Sequence, residues 1–425
     1  MYCGNCFRDN ALVRALRELG HTTLMVPLYL PMTLEDQDQS AGTPIFFGGV
    51  SVYLEQKSAL FRHAPAWLHQ LLAAPRFLKW ASSFAAKTRA EDLGELTLSM
   101  LRGEEGRQAR ELDELIGWLK TQPRPDVICL SNALLAGRVR RLRAELRVPV
   151  VCMLQGEDAF LDALPPTQRD AAWATLSARA AEVDLFIAPS RYFGDRMRGR
   201  LSLPPEKVRV VHNGINLAGF APAAGETNSA ATGSGPPVLG YFARLCREKG
   251  LDTLIEAFLL LKQRTGTRPL RLRVGGGCGP GDEPFVRDLR RRLEKAGVLG
   301  DVDFFPNVDR AGKLAFFCGL SVFSVPALYG EAFGLYVLEA LAAGVPVVQP
   351  RHAAFPELLE ATGGGVLCAP GDAGALADAI EKLVLNPEHT RQLGLQGQKA
   401  VRERFSAEAM TSNMVKLFEE AVTRR

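Results

Sequence analysis

Long apolar runs are missing from this chain: nowhere in its 425 residues do about 18 uninterrupted apolar positions occur, roughly the length a helix needs to cross a bilayer. The first residues, Met1-Tyr2-Cys3-Gly4-Asn5-Cys6, lack the charged flank and apolar stretch of a secretory leader. A cytoplasmic enzyme is the expectation. Charge of one sign is also scarce, with 51 Lys and Arg against 47 Asp and Glu. A net charge of +4 without a concentrated basic patch excludes nucleic acid as the expected partner. The six histidines form no HExxH, and no G-x-S-x-G elbow is present, which removes the common metalloprotease and acyl-hydrolase readings. Cys3 and Cys6 form a CxxC without a second pair or nearby His, so no zinc site is expected. The strand that would precede a thioredoxin-like CxxC is missing too. Eight cysteines, several in apolar runs such as those at Cys129 and Cys152, suit reduced buried thiols.

What is present is enough apolar material, 47% of the chain, for two packed domains. Residues 221–237 are a Gly, Pro and Ser-rich stretch that reads as a linker. Upstream, Pro125–Leu130, Val148–Leu154 and Val183–Ala188 are continuous apolar runs of the kind buried on both faces of a parallel sheet. Downstream, Val238–Ala243, Leu270–Val274, Val302–Phe305, Leu320–Pro326 and Val345–Val348 repeat the pattern, with helical periodicity between. The expected fold is α/β, two doubly wound Rossmann-like domains facing across a cleft. The boundaries are 1–220, the linker 221–237, 238–404, and a last helix over 405–425, capped by Ser406 and returning to the N-terminal domain.

Two clusters carry chemistry. Tyr329-Gly330-Glu331-Ala332-Phe333-Gly334-Leu335 leads from a strand into an apolar helix that contains Glu339. In a parallel sheet such a loop lies at the carboxyl ends of the strands, where open α/β folds place ligands. The N–H groups of Phe333, Gly334 and Leu335 open the helix, and the missing Cβ of Gly334 lets a ligand approach. If the eight residue steps from Glu331 to Glu339 were helical, the two Cα atoms would stand about 12 Å apart. That separation exceeds the ~5–9.5 Å of glycosidase carboxylate pairs and argues against hydrolysis by that route. A dipole-stabilised carboxylate beside a solvated one is the plainer reading of the pair alone. The second cluster, Arg244 to Gly250, hangs two cations on the loop after Val238–Ala243. Arg244 has a fork suited to phosphate oxygens, and Lys249 supplies a compact charge.

With these residues the chain resembles the retaining glycosyltransferases of family 4, which have the two-domain GT-B architecture. The resemblance rests on Arg244 with Lys249, Glu331 with Glu339, Phe333-Gly334-Leu335, the segment Val211-His212-Asn213-Gly214-Ile215-Asn216, and Ala188-Pro189-Ser190. It implies that Arg244 and Lys249 clamp the diphosphate of a nucleoside-diphosphate sugar, Glu331 contacts the transferred sugar, and Glu339 binds the ribose hydroxyls. The Phe333, Gly334 and Leu335 region completes the donor site, and Arg244, Lys249 and Glu331 are the implied catalytic residues. It implies no cofactor and no catalytic metal. Asp301-Val302-Asp303, a DxD, reads as a strand-entry turn, and the glycines at 275–279 read as a donor-facing loop, with Pro280 and Pro284 delaying any helix.

Two departures from the family pattern bear on the acceptor side. Gln155 stands where related enzymes often have His, so Gln155, Glu157 and Asp158 are candidate acceptor or sugar contacts, or a polar loop capping the next helix. Gly4 and Asn5, in a loop-like stretch before an expected helix over 10–19, join that candidate set. Val26-Pro27-Leu28 reads as the next strand. The family's first strand is missing ahead of Cys3, and the expectation is that it lies upstream of Met1. Residues 57–80 mix Lys57, Arg62, Arg76 and Lys79 with Phe61, Trp67, Phe77 and Trp80, which reads as a helical flap over the acceptor or two core helices broken at Pro75 in preference to peripheral contact at the inner face of a membrane. The acceptor class left open is a sugar, a lipid-linked or a small-molecule hydroxyl. A sugar-nucleotide epimerase of the same architecture and a non-catalytic sugar-nucleotide-binding module are the rival readings.

Overall fold

A computed structural model describes residues 4–28, 37–46, 90–220 and 235–424. The basic segment 57–80, Cys3 and most of the linker lie outside the described residues. The chain forms two compact units, one of Asn5–Val211 with Thr411–Arg425, the other built of His212–Met410.

The first unit carries a four-stranded parallel sheet in the order β1-β2-β3-β4. The strands are β1 (Ile128–Leu130), β2 (Val150–Met153), β3 (Leu185–Ala188) and β4 (Val208–Val210). Every residue of β2 and β3 is buried, as expected for central strands covered by helices on both faces. Helices α1 (Gly4–Glu18), α2 (Ala90–Arg102), α3 (Ala109–Leu119), α4 (Val139–Leu146), α5 (Glu157–Asp162), α6 (Pro166–Ala180) and α7 (Arg191–Arg200) complete it up to β4.

Two expectations fail here. Gly4 to Cys6 is the first turn of α1 rather than a loop, because Arg8, Ala11, Leu12 and Leu16 form a buried face that extends the helix toward its start. Val26–Leu28 is no strand: the described sheet ends at β1, and Pro27 has no N–H to offer a ladder.

The second unit is a regular βα repeat. Its six parallel strands, β5 (Val238–Phe242), β6 (Arg271–Gly276), β7 (Val302–Pro306), β8 (Val322–Phe323), β9 (Val347–Pro350) and β10 (Gly365–Cys368), are ordered β10-β9-β8-β5-β6-β7. Between them run α8 (Leu251–Gln263), α9 (Glu283–Lys295), α10 (Arg310–Phe317), α11 (Leu335–Ala342) and α12 (Phe355–Thr362). After β10 come α13 (Ala373–Val384), α14 (Pro387–Arg404) and α15 (Ala407–Thr423). Tyr241, Phe258, Phe317, Phe323 and Phe355 are fully buried in its core. The strand order reverses between β5 and β8, so the loops leaving these two strands emerge side by side, one on each side of the switch point.

The units divide between Val211 and His212, ahead of the linker. The segment from His212 packs with the second unit: its ring lies against Phe333 and Phe405, Ile215 bridges Ser406, and Phe220 joins the core. Ser406 Oγ accepts the Ala409 N–H at 3.1 Å and starts α15, whose residues from Thr411 belong to the first unit. There Glu420 accepts a hydrogen bond from Arg209 at 3.1 Å.

Candidate functional site

The loops after β5 and β8 are locked together before any side chain is considered. Gly250 has φ 72°, and a Cβ there would stand 1.9 Å from the Pro326 carbonyl oxygen, so only glycine allows the two loops to touch. Leu328 N–H donates to the Glu248 carbonyl at 2.9 Å. On the other side, Gly276 (φ 122°) lets the end of β6 pass Ala243, where a Cβ would meet the carbonyl oxygen at 1.9 Å. Leu245 N–H then donates to the Gly277 carbonyl at 2.8 Å.

This scaffold brings Lys249 to Glu331. The ammonium donates to Glu331 Oε2 at 2.5 Å and also to the Tyr329 hydroxyl. Tyr329 and Tyr336 donate to the same carboxylate oxygen at 3.0 and 2.9 Å. Lys249 lies over both rings, 4.8 and 5.2 Å from their centroids. Burial alone would raise the Glu331 carboxyl, but the Lys249 charge and the three donors more than offset it and hold it below the usual carboxylate range. The carboxylate is thus ionised, oriented and only 12% exposed.

Glu331 precedes α11 instead of lying in it. The helix begins at Leu335 after Gly334, whose φ of 96° turns the chain, so the ideal-helix separation expected for Glu331 and Glu339 does not apply. Phe333 is buried beneath the loop, and no hydrogen bond among the described residues takes the N–H of Phe333, Gly334 or Leu335. Three donors therefore gather at a helix N-terminus beside Glu331 and Lys249.

Arg244 is on the same edge, with two-thirds of its side chain exposed. Its fork is occupied: Nε and Nη2 donate to Oδ2 and Oδ1 of Asp282 at 3.1 and 2.9 Å. Asp282 closes the glycine loop after β6, also accepting the Gly279 N–H at 3.1 Å, and precedes α9. Glu339 lies within α11, its Oε1 held at 2.6 Å by the buried Lys313 of α10. Sequence reasoning missed Asp282 and Lys313. The only sequence signal for the first is an acid at a helix start, and for the second a lone Lys before Phe316-Phe317. His212 was also missed as more than part of a motif; its Nε2 lies 2.8 Å from Glu357 Oε1.

The remaining candidates are in the first unit. Glu157 is buried and fixes its own loop: Oε1 accepts the Ala133 N–H at 2.8 Å, and Oε2 accepts those of Gln155 and Gly156 at 2.8 and 3.0 Å. Burial still raises its carboxyl above the usual range. Asp158 is equally buried and paired with Arg196. These partners favour, for both acids, the loop-fixing reading that the sequence left open. Gln155 donates to the Ser131 carbonyl while its amide oxygen is buried without a partner. Gly4 and Asn5 begin α1. Asp301 and Asp303 are spent on Lys262 and Arg271 at 2.8 and 3.2 Å, as a strand entry rather than a cluster. No described helix is long and apolar enough to cross a membrane.

The loops thus combine two cations, free backbone donors and the oriented Glu331 carboxylate, with Glu339 held on the helix that follows, groups suited to a diphosphate with hydroxylated partners. Residues 226–400 match the family model described as Glycosyl transferases group 1, and residues 97–218 that of Glycosyltransferase Family 4. A D-inositol 3-phosphate glycosyltransferase from Saccharomonospora viridis is 29% identical over 247 residues, 57% of this chain and 57% of that protein. A phosphatidyl-myo-inositol mannosyltransferase from Mycobacterium leprae is 29% identical over 213 residues, 50% of this chain and 54% of that protein. The chain spans little more than half the length of these relatives. HepE from Anabaena, solved with UDP, superposes with a TM-score of 0.64 over 93% of this chain and 100% of that one, at 18% identity, a likeness of fold.

Proposed function

The chain belongs to the group 1, family 4 glycosyltransferases and has their GT-B fold, and on that premise we propose that it moves a sugar from a nucleoside-diphosphate sugar to an acceptor hydroxyl with retention of anomeric configuration. The observation that carries this reading is the Lys249–Glu331 pair at the switch point, beside the unused N–H groups of Phe333, Gly334 and Leu335.

When the sugar–phosphate bond breaks, negative charge grows on the departing diphosphate while positive charge grows on the sugar. Lys249, Arg244 and the N–H groups are fixed before the reaction and stabilise the first. Glu331, ionised and held by three donors, is placed for the sugar. A charge-assisted hydrogen bond is worth about 1.5–3 kcal/mol, so two cations contribute several kcal/mol to holding the leaving group. No metal or cofactor enters the proposed step.

The acceptor is a sugar, a lipid-linked or a small-molecule hydroxyl. Inositol phosphates belong in the acceptor panel because the relatives' names carry them. The reaction is placed at the cytoplasmic side, with peripheral contact at the inner face of a membrane for a lipid-linked acceptor. The test is a panel of UDP- and GDP-sugars with these acceptors, with products followed by mass and the first product's anomer by nuclear magnetic resonance. Transfer with the donor's configuration kept is expected. An inverted product overturns retention, and sugar isomers without transfer would point to an epimerase.

A further inference from the structure

Glu339 differs from an ordinary surface carboxylate in what lies under it. Lys313, 3% exposed, brings its ammonium to 2.6 Å from Oε1, while Glu339 itself keeps 16% exposure. Both ends of this pair are anchored. Lys313 sits on α10, whose start is capped by Asp309 Oδ1 accepting the Gly312 N–H at 2.8 Å and whose next turn buries Phe316 and Phe317. Glu339 is flanked on α11 by Leu338 and Ala340, both fully buried. Both side chains are therefore rooted in packed helices, and the Lys313 ammonium is enclosed beside the carboxylate.

The consequence is a half-used carboxylate. Oε1 is committed to the cation, whereas Oε2 has no donor among the described residues and belongs to a side chain that reaches solvent. An oxygen presented in this way accepts from hydroxyls, and two adjacent hydroxyls can share its lone pairs. The cation also neutralises Glu339, so the carboxylate can stand near a diphosphate without repelling it. A second pairing of a cation with a carboxylate, Lys249 with Glu331, stands in the loop just ahead of α11.

Resting on the donor reading above, we propose that Lys313 is a positioning residue: it holds the Glu339 carboxylate in one orientation, so that Oε2 selects nucleoside diphosphates bearing free ribose hydroxyls over their deoxy forms. Lys313 acts through Glu339 and touches no ligand.

The probes are UDP and GDP, each with its 2′,3′-dideoxy analogue, titrated calorimetrically into the full-length wild type and variants with melting temperatures measured in parallel. The wild type prefers the ribose form by tenfold or more. Lys313→Met reduces that ratio toward one, chiefly by weakening the ribose form, and Lys313→Arg, which returns a charged donor to Oε1, restores a preference of at least threefold. Glu339→Gln also brings the ratio near one. If Lys313→Met does not fold, Lys313→Gln takes its place, with a ratio below half the wild-type value expected. A lowered melting temperature with the wild-type ratio intact shows a merely structural role and overturns the proposal, as does a ribose preference retained by Glu339→Gln. Wild type that binds none of the four nucleotides removes the donor reading itself, an outcome separate from binding without discrimination.

Discussion

Arg244 grips Asp282 through two parallel hydrogen bonds, 3.1 Å from Nε to Oδ2 and 2.9 Å from Nη2 to Oδ1. A guanidinium engages phosphate through the same fork. An internal carboxylate therefore occupies the group assigned to the diphosphate, and the hydrogen bonds to Asp282 raise the Arg244 pKa.

Asp282→Asn should accordingly strengthen nucleoside-diphosphate binding several-fold, because the amide competes less well for the fork. Arg244→Ala should weaken it roughly ten- to a hundredfold, the equivalent of about 1.5–3 kcal/mol. Calorimetric titration with UDP and GDP reads both. Weaker binding by Asp282→Asn would mean that the carboxylate aims the guanidinium instead of competing for it.

Lys249→Ala leaves Glu331 enclosed without its cation. Removing one partner of a buried pair typically costs about 3 kcal/mol or more, whereas replacing both partners is milder. Urea unfolding should show Lys249→Ala to be less stable than the double variant Lys249→Met with Glu331→Gln. In kinetics, Glu331→Gln should lower turnover more than nucleotide affinity, and equal losses in both would show that the roles of Glu331 and Glu339 are wrongly divided.

The depressed Glu331 carboxyl sets a pH dependence with a definite sign. Its folded value lies below the unfolded value near 4.5, so its stabilisation is complete above 4.5 and disappears as pH falls through the folded value. The stability difference between wild type and Glu331→Gln should be constant from pH 7 to about 5 and shrink in more acidic solution. A difference that grows on acidification would contradict the assigned shift.

Glu157 separates two readings of its loop. If it fixes the backbone, Glu157→Ala orphans the N–H groups of Ala133, Gln155 and Gly156. At about 1–3 kcal/mol per unpaired buried donor, partly relieved by relaxation, a loss of about 3 kcal/mol is expected in urea unfolding. Unchanged stability with lost turnover would instead place Glu157 among the acceptor contacts.

Gly250→Ala tests the contact between the two loops. Its φ of 72° and the 1.9 Å approach of a Cβ to the Pro326 oxygen leave no relaxed position for a methyl group. Both melting temperature and nucleotide affinity should fall. An affinity equal to wild type would show that the loop after β5 can shift without disturbing the site.

Much of the fold was legible because buried parallel strands are short continuous apolar runs: Val148–Leu154 and Val183–Ala188 announce β2 and β3 directly. The half-exposed β4 and the glycine-led β10 were not legible, since Val208–Val210 and Gly365–Cys368 carry too little apolar signal. The start of α1 was misread because a Gly-Asn-Cys sequence has weak helix propensity, and burial of Arg8 and Ala11 overrides it.

By itself the sequence determined which residue types stand at the ends of strands: Arg244 and Lys249 after one, Glu331 and an unencumbered Gly334 after another. Local pattern suffices for that, because period and turn chemistry are properties of neighbouring residues. Only the tertiary structure decided what each group is paired with. Asp282 reaches Arg244, Lys249 reaches Glu331 and Lys313 reaches Glu339 across separations that local pattern does not encode. The reason is physical: a parallel sheet joins strands by crossovers, and its switch point brings together loops that no sequence window contains.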